Sequence, residues 1–312
     1  MRAFLFPGQG SQAVGMGAAL AQASRAARDV FEQVDEALGQ SLFRLMRDGP
    51  EDELKLTENA QPAIMANAFA VFTALSRDGG VELSKAAQFV AGHSLGEYSA
   101  LCAAGSFDLS TTAKLLKLRG QAMQAAVPVG VGAMAALIGA DLALAQKIAD
   151  AAAQGEVCTV ANDNDPSQVV LSGHTGAIDR AIALAREMGA KRAISLPVSA
   201  PFHCPLMQPA AEAMQDALSY VVLEAPVVPL YANVTAQLTS DPDTIRNQLV
   251  AQVTGMVRWR ESVANMAAAG VAEFVELGGK VLGPMVKRIA PDAKVTSVAT
   301  IEDIEALAKE LH

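Results

Sequence analysis

The chain has 312 residues, 51% of them hydrophobic, so it can bury a large core as one big domain or a big domain with an insert, and a disordered chain is excluded. A net charge of −9 leaves no basic stripe to neutralise phosphates, which argues against nucleic-acid binding. Cys102, Cys158 and Cys204 are odd in number and far apart; they match neither a disulfide framework nor a zinc spacing and read as small packed residues in a reducing compartment.

At the N-terminus the apolar run before Pro7 and Gly8 is too short for a secretory signal, and the expected location is cytoplasmic. A strand is predicted over residues 2–6, followed by the loop Pro7-Gly8-Gln9-Gly10-Ser11-Gln12 and a long helix to about residue 38. With Ala13 the loop fits Gly-x-Gly-x-x-Gly/Ala, so a dinucleotide site has to be weighed. The acidic ribose partner should close a second strand, yet Asp29, Glu32 and Asp35 lie inside a continuous helical pattern. Two other readings remain: a plain tight turn, or a loop that lends the Gln9 N–H to an oxyanion.

Helical patterns around residues 60–75, 95–104 and 110–126 alternate with a strand at 88–91, the rhythm of a parallel α/β sheet. That strand runs into Gly92-His93-Ser94-Leu95-Gly96, a Gly-x-Ser-x-Gly elbow that lifts a serine clear of the sheet on strained backbone. Gly92 and Gly96 let strand and helix cross closely, and the Leu95 N–H, at a helix start, can point at a developing oxyanion. On the next helix Leu115, Leu116, Leu118, Ala122, Met123 and Ala126 share one face with Arg119 near its centre. A buried arginine must be paired, either to an internal Asp or Glu or, as a fork, to a carboxylate of the substrate.

Residues 133–138, 141–153, 157–160, 168–172, 177–188 and 191–196 read as strand, helix, strand, strand, helix, strand, the ferredoxin-like βαββαβ order. This unit is taken as an insert over residues 128–198, dividing a large subdomain into residues 1–127 and 199–312. Uncharged stretches at 120–140 and 193–211 carry too many prolines and glycines for membrane spans. His203, in the proline-pinned turn before a helix at 206–218, is the best base among the histidines at 93, 174, 203 and 312. No Asp or Glu in sequence stands out to orient it, as a full triad would require; a dyad aided by a backbone carbonyl is one arrangement open to it. Further strands are predicted at 227–231 and 272–276.

Taken together, Phe6-Pro7-Gly8-Gln9-Gly10-Ser11-Gln12, Gly92-His93-Ser94-Leu95-Gly96-Glu97-Tyr98, Leu118-Arg119-Gly120, Asn162-x-Asn164 and Phe202-His203-Cys204 strongly resemble the malonyl-CoA:acyl carrier protein transacylase family. The similarity continues through residues 252–259 and Glu276-Leu277-Gly278-Gly279-Lys280-Val281-Leu282, covering essentially the whole chain. It implies a hydrolase-like α/β large subdomain with a ferredoxin-like insert. It also implies malonyl transfer from malonyl-CoA to the phosphopantetheine thiol of acyl carrier protein, in fatty-acid chain extension, by a monomer that needs no metal or other cofactor. Ser94 is then the acylated nucleophile, His203 its base, Gln9 and Leu95 the oxyanion donors, and Arg119 the holder of the malonyl carboxylate. Gln252 matches the position whose main-chain carbonyl steadies the histidine, although residues 252–256 depart from the family pattern. Phe202, Met123, His93 and Asn162 would line the acyl site, with Phe202 and Leu95 resembling the malonyl-selective pattern. Lys191 and Arg192, near the strand that leads to the active-site turn, are the candidates for docking an acidic carrier protein. The rival readings are a serine thioesterase or esterase, and a non-catalytic carrier-binding or dinucleotide-sensing protein.

Overall fold

The ten strands of the computed structural model, which describes residues 1–312, fall into two sheets. In chain order they are β1 (Arg2–Phe6), β2 (Phe89–Gly92), β3 (Gly132–Ile138), β4 (Cys158–Asp165), β5 (Gln168–His174), β6 (Arg192–Ser195), β7 (Leu230–Tyr231), β8 (Leu238–Thr239), β9 (Glu273–Leu277) and β10 (Lys294–Val298). The large sheet has the order β10-β9-β1-β2-β7-β8 and is parallel except for β8 at its edge. β1 sits inside it, and Ala3, Phe4, Leu5 and Phe6 are all fully buried. A strand covered on both faces needs a continuous apolar run, and alternate side chains of this one feed separate cores. Phe4 and Phe6 join the main core with the helix Thr57–Arg77, whereas Ala3 and Leu5 pack with Trp259, Val263 and Phe274 on the other face.

The small sheet has the order β4-β5-β3-β6, with every neighbouring pair antiparallel. Together with the helices Leu142–Ala153 and Thr175–Ala185 this is the ferredoxin-like arrangement read from the sequence. One face of the sheet packs on those helices through Leu137, Ile148, Leu171 and Ile178, and the other puts Met134, Ala136 and Val170 into the main core. The two bodies are pinned along β4. The Val257 N–H donates to the Ala161 carbonyl at 2.9 Å and the Asp163 N–H to the Val257 carbonyl at 3.0 Å. The buried Asp163 carboxylate pairs with Arg260 at 2.9 Å and the buried Asp165 with Arg288 at 2.8 Å.

Several elements differ from expectation. The first long helix is two, Ala18–Ala23 and Arg25–Leu38, because Ser24 is extended and its hydroxyl caps the second helix by accepting the Ala27 N–H at 3.0 Å. Leu118, expected on the buried face of its helix, is 37% exposed; the buried stripe of Leu109–Ala125 runs through Thr112, Leu115, Leu116, Arg119, Gly120 and Met123. β7 holds only the last part of the 227–231 prediction, since Pro229 has no N–H to donate and offers only its carbonyl, to Val90 at 3.0 Å. β8, the edge strand β10 and the helix Pro242–Thr254 were not foreseen. No helix is long and apolar enough to cross a membrane.

Removing Arg260 leaves the Asp163 carboxylate buried without its cation. Arg260→Ala should lower the unfolding free energy by roughly 1–3 kcal/mol. Denaturant unfolding beside Arg47→Ala, whose ion pair with Asp48 is exposed and which should change stability by under about 1 kcal/mol, measures the difference. Equal effects would show that Asp163 is not an anchor.

Candidate active site

Between β2 and the helix Gly96–Ala103 the chain turns so tightly that Ser94 takes a φ of 54°, the left-handed region a non-glycine residue rarely adopts. The turn is possible because the strand and helix nearly touch: a Cβ on Gly92 would lie 1.9 Å from the Gly96 carbonyl oxygen. The Gly8–Gly10 loop presses on the same turn, and a Cβ on Gly8 would lie 2.5 Å from the His93 carbonyl oxygen. Asn233 clamps the elbow, its Oδ1 accepting the Ser94 N–H at 2.8 Å and its Nδ2 donating to the Gly92 carbonyl at 2.7 Å.

His203, also at positive φ (55°), brings Nε2 to 2.7 Å from the Ser94 hydroxyl. Its Nδ1 lies 2.8 Å from the Gln252 main-chain carbonyl. A carbonyl can only accept, so Nδ1 carries the hydrogen and Nε2 presents its lone pair to Ser94. Burial, then the positive charge of Arg119, push the imidazole down to about 3. It is therefore neutral, the form a base requires, throughout the ordinary pH range.

Arg119 is 1% exposed, and all its hydrogen-bond partners are neutral. Nη1 donates to Gln61 Oε1 at 2.7 Å, and Nη2 donates to Gln252 Oε1 at 2.7 Å and to the Ser94 hydroxyl oxygen at 3.2 Å. The internal carboxylate partner that a purely structural arginine would need is not in contact with it. Its Nε has no partner, so donor capacity is left unused, and the guanidinium lies 5.8 Å from the centre of the Tyr98 ring. Burial pulls its pKa below the ordinary value, with Tyr98 and Glu97 opposing.

Gln252 joins these groups. Besides the carbonyl that holds His203 and the Oε1 that holds Arg119, its Nε2 donates to the Ser94 carbonyl at 3.0 Å and to Glu97 Oε2. Glu97 is 1% exposed, accepts the Asn233 N–H at 3.0 Å, and is raised by burial to about 7.

Ser94, His203, Arg119 and Gln61 border a cleft of about 370 Å³ between the large sheet's loops and the small sheet, with Gln252, Glu97 and Asn233 behind its wall. Gln9, His93, Leu95, Met123, Asn162 and Phe202 line it as well. The backbone N–H groups of Gln9 and Leu95 have no backbone acceptor and are free to bind an oxyanion. His93 Nε2 meets Asn164 Oδ1 at 2.8 Å, tying the elbow to β4. No cluster of His, Cys, Asp or Glu is arranged to hold a metal ion. Lys191, just before β6, and Arg192, its first residue, are exposed and outside the cleft, which the chain reaches only after that strand, at Leu196, Pro197 and Val198.

Sequence reasoning missed Gln61, Glu97 and Asn233. Glu97 carried a signal, a carboxylate inside a helix whose other positions are apolar or small. Gln61 and Asn233 carried none, being uncharged residues far from the elbow in the chain.

A family model for the acyl transferase domain matches residues 3–283. The malonyl CoA-acyl carrier protein transacylase of Escherichia coli K12 is 44% identical over 99% of this chain and 99% of its own. The crystal structure of acyl-carrier-protein-S-malonyltransferase from Bartonella henselae is 52% identical, with a TM-score of 0.97 over 99% of both chains. A malonyl-transacylase solved in complex with a type II PKS acyl-carrier protein is 37% identical, with a TM-score of 0.95 over 99% of both chains.

Because the depressed imidazole is already neutral, acidification should not switch it off near the ordinary histidine value. The rate at which Ser94 reacts with an uncharged serine reagent such as a sulfonyl fluoride should stay level from about pH 6.5 to about pH 5. An acid limb centred near pH 6.5 would contradict the burial argument. Folding shows the opposite sensitivity: the unfolded chain binds the His203 proton more readily, so this group's contribution to stability falls as pH drops below about 6.5.

Proposed function

Because the chain belongs to the acyl transferase family, among the malonyl CoA-acyl carrier protein transacylases, we propose that Ser94 is the atom-bearing residue through which it moves malonyl from malonyl-CoA to acyl carrier protein. The Ser94 hydroxyl gives its proton to His203 Nε2 as its oxygen attacks the thioester carbonyl. The carbonyl oxygen becomes an anion, held by the Gln9 and Leu95 N–H groups. The C–S bond then breaks, and the CoA sulfur leaves with the proton from His203. The phosphopantetheine thiol of the carrier reverses these steps, yielding its proton to the same imidazole and taking malonyl from the serine ester. The base contributes roughly 10²–10⁴ in rate and an oxyanion donor roughly 10²–10³. Atoms and charge balance without a cofactor.

The observation that carries this reading is a buried, charged guanidinium with only neutral partners, in contact with the reactive hydroxyl. Such a cation favours an acyl group that brings its own carboxylate. In this reading the cleft lies between a large subdomain, residues 1–127 and 199–312, and a small one, residues 128–198. A single chain is the active unit, and the product feeds fatty-acid chain extension. Met123 and Phe202 border the acyl group, with His93 and Asn162 at its polar side. Intact-mass analysis after mixing with malonyl-CoA tests the reading: a persistent malonyl adduct on Ser94 that acyl carrier protein removes is expected. Rapid loss to water would favour the thioesterase alternative, and no adduct the binding-protein one.

Arg119→Ala should lose malonyl transfer while tolerating acetyl transfer better, a selectivity change worth roughly 2–5 kcal/mol. The helix should survive, since alanine suits it. Single-turnover rates with both acyl groups, beside thermal unfolding, measure this; a large fall in melting temperature with an unchanged malonyl-to-acetyl ratio would take Arg119 out of the acyl site.

Lys191 and Arg192 are proposed to steer the acidic carrier from the rim of the small subdomain. Charge reversal at both should raise the KM for carrier protein several-fold and leave that for malonyl-CoA unchanged. Equal effects on both would place docking elsewhere.

A further inference from the structure

We infer that Glu97 is the internal counter-charge of Arg119, acting through the Gln252 side chain, and that it takes up a proton when the substrate's carboxylate docks on the guanidinium. The inference rests on the proposed role of Arg119 in holding malonyl. The Glu97 carboxylate accepts from Gln252 Nε2, and the Oε1 of the same carboxamide accepts from Arg119 Nη2 at 2.7 Å. The amide dipole is thus aligned between a buried anion and a buried cation that do not touch. The other titratable groups facing the network are Tyr98 on the same helix, His203 on the catalytic turn and His93 on the elbow. Burial lowers both imidazoles and raises the phenol, so all three are neutral near neutral pH. Lys55 also lines the cleft but is exposed and paired with Glu51 at 2.8 Å, so Arg119 and Glu97 are the buried charges left to balance each other.

A malonyl carboxylate in direct contact with Arg119 would place two anions beside one buried cation. An uncompensated buried charge is costly, and a group in that position neutralises instead. The substrate carboxylate, touching the guanidinium, stays ionised. Glu97, held one carboxamide away and already raised by burial, takes the proton from solvent and becomes a carboxylic acid; no other bond changes. An acetyl group brings no anion and leaves Glu97 as it was. Glu97 is therefore a positioning residue: ionised, it holds Arg119 in the free enzyme, and protonated, it yields that charge to the substrate.

The test counts protons during acylation of the wild-type enzyme by malonyl-CoA, without carrier protein, in weak buffer with a pH indicator, while intact mass counts the adduct. Near pH 7.5 the released CoA thiol stays largely protonated, so the acyl exchange itself is close to proton-neutral. The expected result is uptake of roughly half a proton or more per malonyl adduct, little with acetyl-CoA, and loss of the uptake near pH 5.5, where Glu97 is already protonated. Glu97→Gln should form the adduct without the uptake; should that variant not fold, the malonyl-acetyl difference and its pH dependence in the wild type carry the test. A malonyl adduct with no uptake beyond the acetyl control, or equal uptake in Glu97→Gln, overturns the inference alone. Absence of any malonyl adduct on Ser94 overturns the transfer reading and this inference with it.

Discussion

One residue, Gln252, closes the site on both sides of the reactive serine. Its main-chain carbonyl fixes the tautomer of His203, while its carboxamide reaches Arg119, Glu97 and the Ser94 carbonyl. Imidazole, guanidinium, buried acid and serine are thereby set relative to one another by a single residue, through its main chain and its side chain, that is itself fully buried. A carbonyl behind the imidazole does what a triad carboxylate does for orientation, but it adds no charge. In the proposed reading that difference matters beside Arg119, because a second anion at the histidine would compete for the guanidinium that the acyl carboxylate is to reach.

The geometry around Ser94 is held under strain from two directions. Ser94 and His203 both sit at positive φ, a cost of order 1–3 kcal/mol each, and the surrounding contacts over-determine them. Asn233 grips the elbow by its backbone, and the Gly8 loop leaves no room for a Cβ against His93. The small sheet contributes through β4, which the Asp163 and Asp165 ion pairs fasten to the large body and which carries Asn162 and Asn164 to the cleft. A reacting group placed this firmly loses little entropy when it meets substrate.

How much of this could be read in the chain follows from the range of the interactions. The elbow was legible because its requirements are local: glycines on either side of the serine, a strand before and a helix after. The ferredoxin-like unit was legible because its elements follow one another with clear periodicity. Arg119 could be singled out as a charge on an apolar stripe, yet the sequence left open whether its partner was an internal acid. Only the fold brings Gln61 and Gln252 to it, from 58 residues before and 133 after. Asn233, 139 residues from Ser94, is invisible for the same reason. β10 escaped notice because an edge strand reading Lys-Val-Thr-Ser-Val needs no continuous apolar run.

The central claim is that Arg119 waits on neutral partners for the carboxylate of the acyl group. It is tested most directly by a crystal structure of the enzyme trapped with malonyl on Ser94. The account predicts the malonyl carboxylate within hydrogen-bond distance of the Arg119 guanidinium and the ester carbonyl oxygen between the Gln9 and Leu95 N–H groups. A carboxylate turned away to solvent, with Arg119 still bonded only to Gln61, Gln252 and Ser94, would contradict it.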